Sequence, residues 1–191
     1  MKTLSFKITG VAPLIMHNGQ LADPLNKWTK MISEISSKRG KTEADFEEMA
    51  RLEFFGGLYI NGNGPCIPGE VLEGALYGRG GAARKYRMGK QAQASVFCMG
   101  HYDLEYDGPR DPLEVWEDKR FVSRVPARIQ SAKIMRTRPM FEQWSSEVTV
   151  TFNPDIVDGD EIVKWMYTAG AEVGLMDWRP KFGRFEVEEL G

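Results

Sequence analysis

The chain has 191 residues, a net charge of −2, 42% hydrophobic and 27% charged residues. That balance excludes a disordered tail and fits one sizeable globular domain. No apolar run approaches the roughly 18 residues needed to span a bilayer, so no membrane partner is expected.

The opening "MKTLSFKITGVAPLIMH" alternates apolar and polar positions instead of forming a continuous signal-peptide core, and the protein is expected to be cytoplasmic. Leu4, Phe6 and Ile8 predict a first strand that ends at Pro13. His17-Asn18-Gly19 is a turn signal. Asp23 followed by Pro24 reads as an N-cap with proline at the first helical position. The helix then carries Leu25, Trp28, Ile32 and Ile35 on one face. A second helix opens with Thr42 and Asp45 as a capping box and has Phe46, Met49, Leu52 or Glu53, and Phe54 in register.

In "LYINGNGPCIPGEVLEGALYGRG" a short strand enters a glycine turn, and a helix opens at Pro68-Gly69 with Val71, Leu72, Ala75 and Leu76 inward. "GRGGAARKYRMGK" reads as a flexible basic loop or as a continuation of that helix. "ASVFCMG" is a short apolar strand, and "RFVSRVPARIQSAKIMRTRPMF" has strand-like segments with cations between them. Val148, Val150 and Phe152 alternate as a strand. "DGDEIVKWMYTAGAEVG" is an amphipathic helix capped by Asp158, with Ile162, Val163, Met166 and Ala169 inward. The final strand is "FGRFEVEEL". This order predicts an α+β sheet of βαββαβ type, a single domain over residues 1–191, with a helical insertion at about 24–56.

A net charge of −2 argues by itself against a nucleic-acid binder, but the distribution argues the other way. Gly74 to Tyr102 and Lys119 to Phe141 contain no acidic residue, while acid gathers in "EADFEEMARLE" and "DLEYDGPRDPLEVWED". Segregation of this kind gives a polyanion-binding face, or acidic segments that pair with basic ones within or between subunits.

Three segments are candidate binding sites. The first is "MDWRPKF", between Gly174 and Gly183. Its backbone N–H groups beside the glycines can approach a phosphate, Arg179 and Lys181 supply charge with Arg184 just beyond, and Trp178 can stack on a base. Core plugging by Trp178 and pairing of Arg179 with an acid is the bland alternative. The second holds Arg79, Arg84, Lys85, Arg87 and Lys90, with Tyr86 as a stacking ring; a solvated loop explains it equally. The third is a β-hairpin bearing Arg124, Arg128, Arg136 and Arg138, which either reaches over a nucleic-acid strand or guards a sheet edge against aggregation.

His17 and Asp23 follow the first strand, where a general base could sit, but capping accounts for Asp23 without chemistry. No P-loop, dinucleotide fingerprint, nucleophile elbow or zinc helix is present. Cys66, Cys98, His17 and His101 lack metal-ligand spacing, so no metal and no cofactor are expected.

"IPGEVLEGALYGRGGAARK", "AGAEVGLMDWRPKFGRFEV" and "TGVAPLIMHNG" together resemble the RAMP superfamily, the ferredoxin-like proteins of CRISPR systems. The first resembles its proline-opened helix that ends in basic residues. The second is similar to its C-terminal glycine-rich loop, and the third to its first strand. The resemblance covers about a third of the chain, whose loop "GLMDWRPKFG" has fewer glycines than the family pattern. A small phage or mobile-element relative of the CRISPR backbone subunits fits these features. The resemblance implies a ferredoxin-like fold with a protruding hairpin and a non-catalytic protein that self-assembles along single-stranded RNA or DNA. Two other readings stay open: a metal-independent endoribonuclease using His17, and a protein-interaction module that mimics or inhibits a CRISPR-type complex.

Overall fold

A computed structural model describes residues 1–129 and 132–190, with the side chains at 128, 129, 132 and 133 outside the described set. In chain order the elements are β1 (Lys2–Gly10), β2 (Leu14–Ile15), α1 (Lys27–Ser36), α2 (Glu43–Gly57), β3 (Ile60–Asn61), β4 (Gly64–Pro68) and α3 (Gly69–Leu76). There follow α4 (Ala82–Lys85), α5 (Gly89–Ser95), β5 (Val96–Phe97), β6 (His101–Asp103), α6 (Pro112–Glu117), β7 (Val122–Ile129) and β8 (Ala132–Phe141). The chain closes with β9 (Ser145–Phe152), α7 (Gly159–Thr168), a π-helical turn (Ala169–Val173) and β10 (Phe185–Leu190). The protein is α+β, as expected. Among the described residues no helix is long and apolar enough to cross a membrane.

The chain divides into two compact units, one of residues 1–14, 60–107 and 142–191, the other of residues 15–59 and 108–141. In the first, a four-stranded sheet runs in the order β10-β1-β9-β5, antiparallel throughout. The period-2 pattern sets its register: Phe6 faces Val148 and Ile8 faces Ser146, while Lys7 faces Glu147 on the other side. Phe6, Ile8, Val148, Val150 and Phe152 are buried with Leu72 and Leu76 of α3 and with Ile162, Trp165 and Met166 of α7. Gly10 is required where the first strand ends. A Cβ there would lie 2.1 Å from Trp144 Nε1, which donates to the Ala12 carbonyl at 2.9 Å.

In the second unit α2 begins with the expected capping box. Thr42 accepts from the Asp45 N–H and Asp45 accepts from the Thr42 N–H. Hydrogen bonding from Lys38, then from the Thr42 backbone, holds the Asp45 carboxyl down at about 2. The helix α1 departs from expectation. It starts at Lys27, because the Asn26 side chain accepts from the Trp28 N–H at 2.9 Å. Asp23 instead accepts from the Leu25 N–H at 2.8 Å and shapes the preceding turn. Trp28 stacks on Phe55 of α2, with centroids 6.0 Å apart.

The unit's sheet runs β2-β8-β7, with β7 and β8 in an antiparallel hairpin that pairs Arg124 with Thr137 and Pro126 with Met135. Met16 N–H donates to the Pro139 carbonyl at 3.0 Å on the outer edge of β8. Two residues along that edge the Glu53 carboxylate of α2 takes the Thr137 N–H at 2.8 Å and also holds the Arg136 guanidinium. Glu53 is 8% exposed, so a helix carboxylate stands where the next strand would be.

Truncation of Glu53 leaves a buried N–H unpaired and a guanidinium without its counter-charge. Glu53→Ala is expected to lower the unfolding free energy by about 3 kcal/mol, measured by urea denaturation followed by tryptophan fluorescence. Arg136→Ala leaves the Glu53 carboxylate, 8% exposed, without its cation though still bonded to the Thr137 N–H, and is expected to cost a comparable amount. Cys66 and Cys98 are free and buried. Burial, then the Asp103 charge, pushes the Cys66 thiol up to about 11, and burial, then Glu73, raises Cys98 further. The thiolate is the reactive form, so at pH 8 neither cysteine is expected to label with iodoacetamide until denaturant unfolds the chain, as read by mass spectrometry.

Candidate nucleic-acid interface

The basic tract after α3 is ordered, and it is neither a loop nor a continued helix. Glycines at 78, 80, 81 and 89 break it into the short helices α4 and α5. Arg84 and Lys85 fall in the last turn of α4, where cations suit the helix dipole. The Arg84 Nε donates to the carbonyls of Tyr77 and Gly78, both at 2.9 Å, which folds the tract back on the end of α3. Arg87 has φ of 63°, a left-handed conformation that costs a non-glycine residue strain and recurs at ligand sites.

Three contacts dock the tract on α7 and the π turn. Lys85 pairs with the Glu172 carboxylate, the Tyr86 hydroxyl hydrogen-bonds Thr168 Oγ1 at 2.8 Å, and Lys164 Nζ sits 4.0 Å from the Tyr86 ring centroid. Tyr86, expected to stack on a base, therefore already has a cation on its ring and a partner on its hydroxyl. Arg79, Arg84, Arg87 and Lys90 are exposed. Sequence reasoning missed the anchors. Lys164, Thr168 and Glu172 recur every four residues on one helical face, and that spacing was the available signal.

The loop after the π turn is bound tightly to the start of the chain. Gly174, Met176, Trp178 and Gly183 all have positive φ, and the Arg179–Pro180 peptide is cis. Gly183 cannot carry a side chain, since a Cβ would lie 2.0 Å from the Leu175 carbonyl oxygen. The glycine N–H groups expected to face a phosphate are engaged within the protein: Gly174 N–H donates to Ala169 and Gly183 N–H to Pro13, both at 2.8 Å. Trp178 packs on Phe182 with centroids 5.8 Å apart, and Lys181 lies 5.4 Å from the Phe182 ring centroid. Closure and charge thus occur in the same loop. Its backbone and rings hold the end of the first unit, and Arg179, Lys181 and Arg184 are exposed. Because the loop continues directly from the π turn that anchors Lys85, two of the three basic segments meet on one structural support.

The hairpin lies in the other unit and differs in kind. Arg136 is held by Glu53, Arg138 is half-buried, Arg124 is exposed, and the side chain of Arg128 lies outside the described residues. His17 is exposed and its carbonyl accepts from the Tyr59 hydroxyl at 3.5 Å. Asp23 serves its turn. Among the described residues no three or more His, Cys, Asp or Glu side chains cluster to hold a metal. No protein-family model matches this chain, and no curated protein matches it either.

Proposed function

We propose that this chain is a non-catalytic protein that binds single-stranded nucleic acid and self-assembles, on a ferredoxin-like fold resembling the RAMP superfamily. One observation carries the binding half. Arg79, Arg84, Arg87 and Lys90 stand exposed on a tract fixed to α7, beside a loop that exposes Arg179, Lys181 and Arg184. A backbone fixed in advance pays less ordering cost when its cations meet phosphates, and each phosphate contact releases counterions.

The fold half draws support from strand order. Numbered along the chain as first to fourth, β1, β5, β9 and β10 lie 4-1-3-2 and antiparallel, with helices between the first and second and between the third and fourth. A βαββαβ sheet has that order and those two crossovers, and here α6 and the β7–β8 hairpin stand in addition between the second and third strands. The π turn at Ala169–Val173 adds to the binding reading, since such turns recur at functional sites. With Trp178 packed on Phe182 and Tyr86 under Lys164, backbone tracking outweighs base stacking, and RNA and DNA are bound alike.

Fluorescence anisotropy with labelled RNA and DNA strands of about thirty nucleotides, titrated over salt, tests this reading. The binding slope against log salt is expected to be about 2 shallower in the Arg79, Arg87, Lys90 to Ala triple variant, because three phosphate contacts at roughly 0.7 each are lost. No binding of either strand at low salt sinks the proposal.

A further inference from the structure

The cations of the tract after α3, Arg79, Arg84, Lys85, Arg87 and Lys90, are not equally placed. Among the described residues Lys85 is the one that an acid holds, through Glu172 of the π turn. Glu172 is the only acidic residue between Glu161 and Asp177. It stands, moreover, where its own helix disfavours it. The π turn continues α7 and ends at Gly174, whose N–H donates to the Ala169 carbonyl at 2.8 Å. Glu172 therefore lies in the last turn, among carbonyls that have run out of helical donors and at the negative end of the helix dipole.

The pair with Lys85 offsets this only weakly. Both side chains lie largely in water, and an ion pair so placed shifts an equilibrium by a factor of about five at most. Folding stability thus gives a poor account of a carboxylate at this position, and such departures from local rules gather at functional sites.

What the pair does control is the lysine. Lys85 is flanked by exposed Arg84 and Arg87, so a phosphate chain that tracks those cations passes its ammonium. A phosphate in place of Glu172 would add one contact, worth about 0.7 in the salt slope and about fourfold in affinity at physiological ionic strength. The two rivals for Lys85 are therefore of one size. The Tyr86–Thr168 hydrogen bond at 2.8 Å joins the same two segments and orders the ion pair in advance, which tips the balance toward Glu172. We infer that Glu172 is an internal competitor for phosphate. Its carboxylate takes the place of a phosphate oxygen on Lys85, withholds that cation from the binding surface, and keeps the affinity for a polyanion below what the tract's charge allows. This rests on the binding half of the proposed function and identifies a residue that sets its strength.

Fluorescence anisotropy with labelled single-stranded RNA, titrated over salt, tests it on the wild type, Glu172→Gln, Lys85→Ala and the double variant. Glutamine keeps an oxygen for the ammonium and removes the charge. Glu172→Gln is expected to bind about fourfold tighter at physiological salt, with a slope against log salt about 0.7 steeper. Lys85→Ala alone is expected to leave the wild-type slope unchanged, and in the double variant to abolish the steepening. The melting temperature of Glu172→Gln is expected to be no lower than that of the wild type. A gain that survives Lys85→Ala overturns the inference, because Glu172 then acts on the other cations through its field alone. Unchanged or weaker binding by Glu172→Gln also overturns it, and a lower melting temperature beside that result makes the pair a structural latch. If none of the four proteins binds at low salt, the proposed function falls and this inference with it; if the wild type binds and Glu172→Gln gains nothing, the inference alone falls.

Discussion

A chain segment rich in cations and devoid of acid cannot fold on itself, and the architecture answers this with carboxylates brought from far away. Glu53 reaches β8 across 84 residues of sequence to take the Thr137 N–H and hold Arg136. Glu172 reaches Lys85 across 87. The two pairs work at different strengths. Glu53 is buried and its carboxylate completes a sheet edge, so its loss exposes a donor that nothing replaces. The pair of Lys85 and Glu172 is largely in water, with side chains 40% and 58% exposed, and contributes little energy. Its effect is positional, since it and the Tyr86–Thr168 bond decide which way the tract faces.

Position matters because the first unit is electrically two-sided. On the face of its sheet turned away from the core, Lys7 stands opposite Glu147 on one neighbour and Glu188 on the other, and Glu105 and Glu186 lie exposed beside them. One cation among four carboxylates repels a polyanion. The cations of the tract come instead from the helical layer, packed on α7. Sheet faces that bind single strands commonly do so through exposed aromatic rings, and this one carries a single such ring at its β5 edge, Phe97 opposite Thr151, among threonines and glutamates. Under the proposed function, those four carboxylates leave the helical layer as the side that a nucleic acid would meet.

Local rules made much of the fold legible. Alternation placed β1 and β9, the Thr42–Asp45 box placed α2, and Pro68-Gly69 placed the start of α3. They failed where two local signals competed or where the decisive partner was remote. Asp23 and Asn26 are both competent caps three residues apart, and the side-chain bond to Trp28 N–H decided for Asn26. Phe46 has helical register with Phe54, yet it is half exposed on the open side of α2, in a cavity with Ile134 and Met135. Of the candidate site, composition gave the charge but not its availability. Arg136 and Arg87 look alike in sequence, but one is held by Glu53 and the other stands in a left-handed turn with an exposed side chain.

The near-neutral total of 25 cations and 27 acids is for the same reason a poor guide to what this protein attracts. At physiological ionic strength exposed charges are screened beyond about 8 Å, so a ligand responds to the cations within that reach and not to the sum. Acids that neutralise on paper are committed elsewhere: Glu53 to a sheet edge, Glu147 and Glu188 to the sheet face, Asp118 to Arg120 and the cap of its own turn. The exposed cations of the tract after α3 lie in a run from Gly74 to Tyr102 that holds no acid. A chain built in this way can hold opposite charges on separate surfaces without collapsing them onto each other.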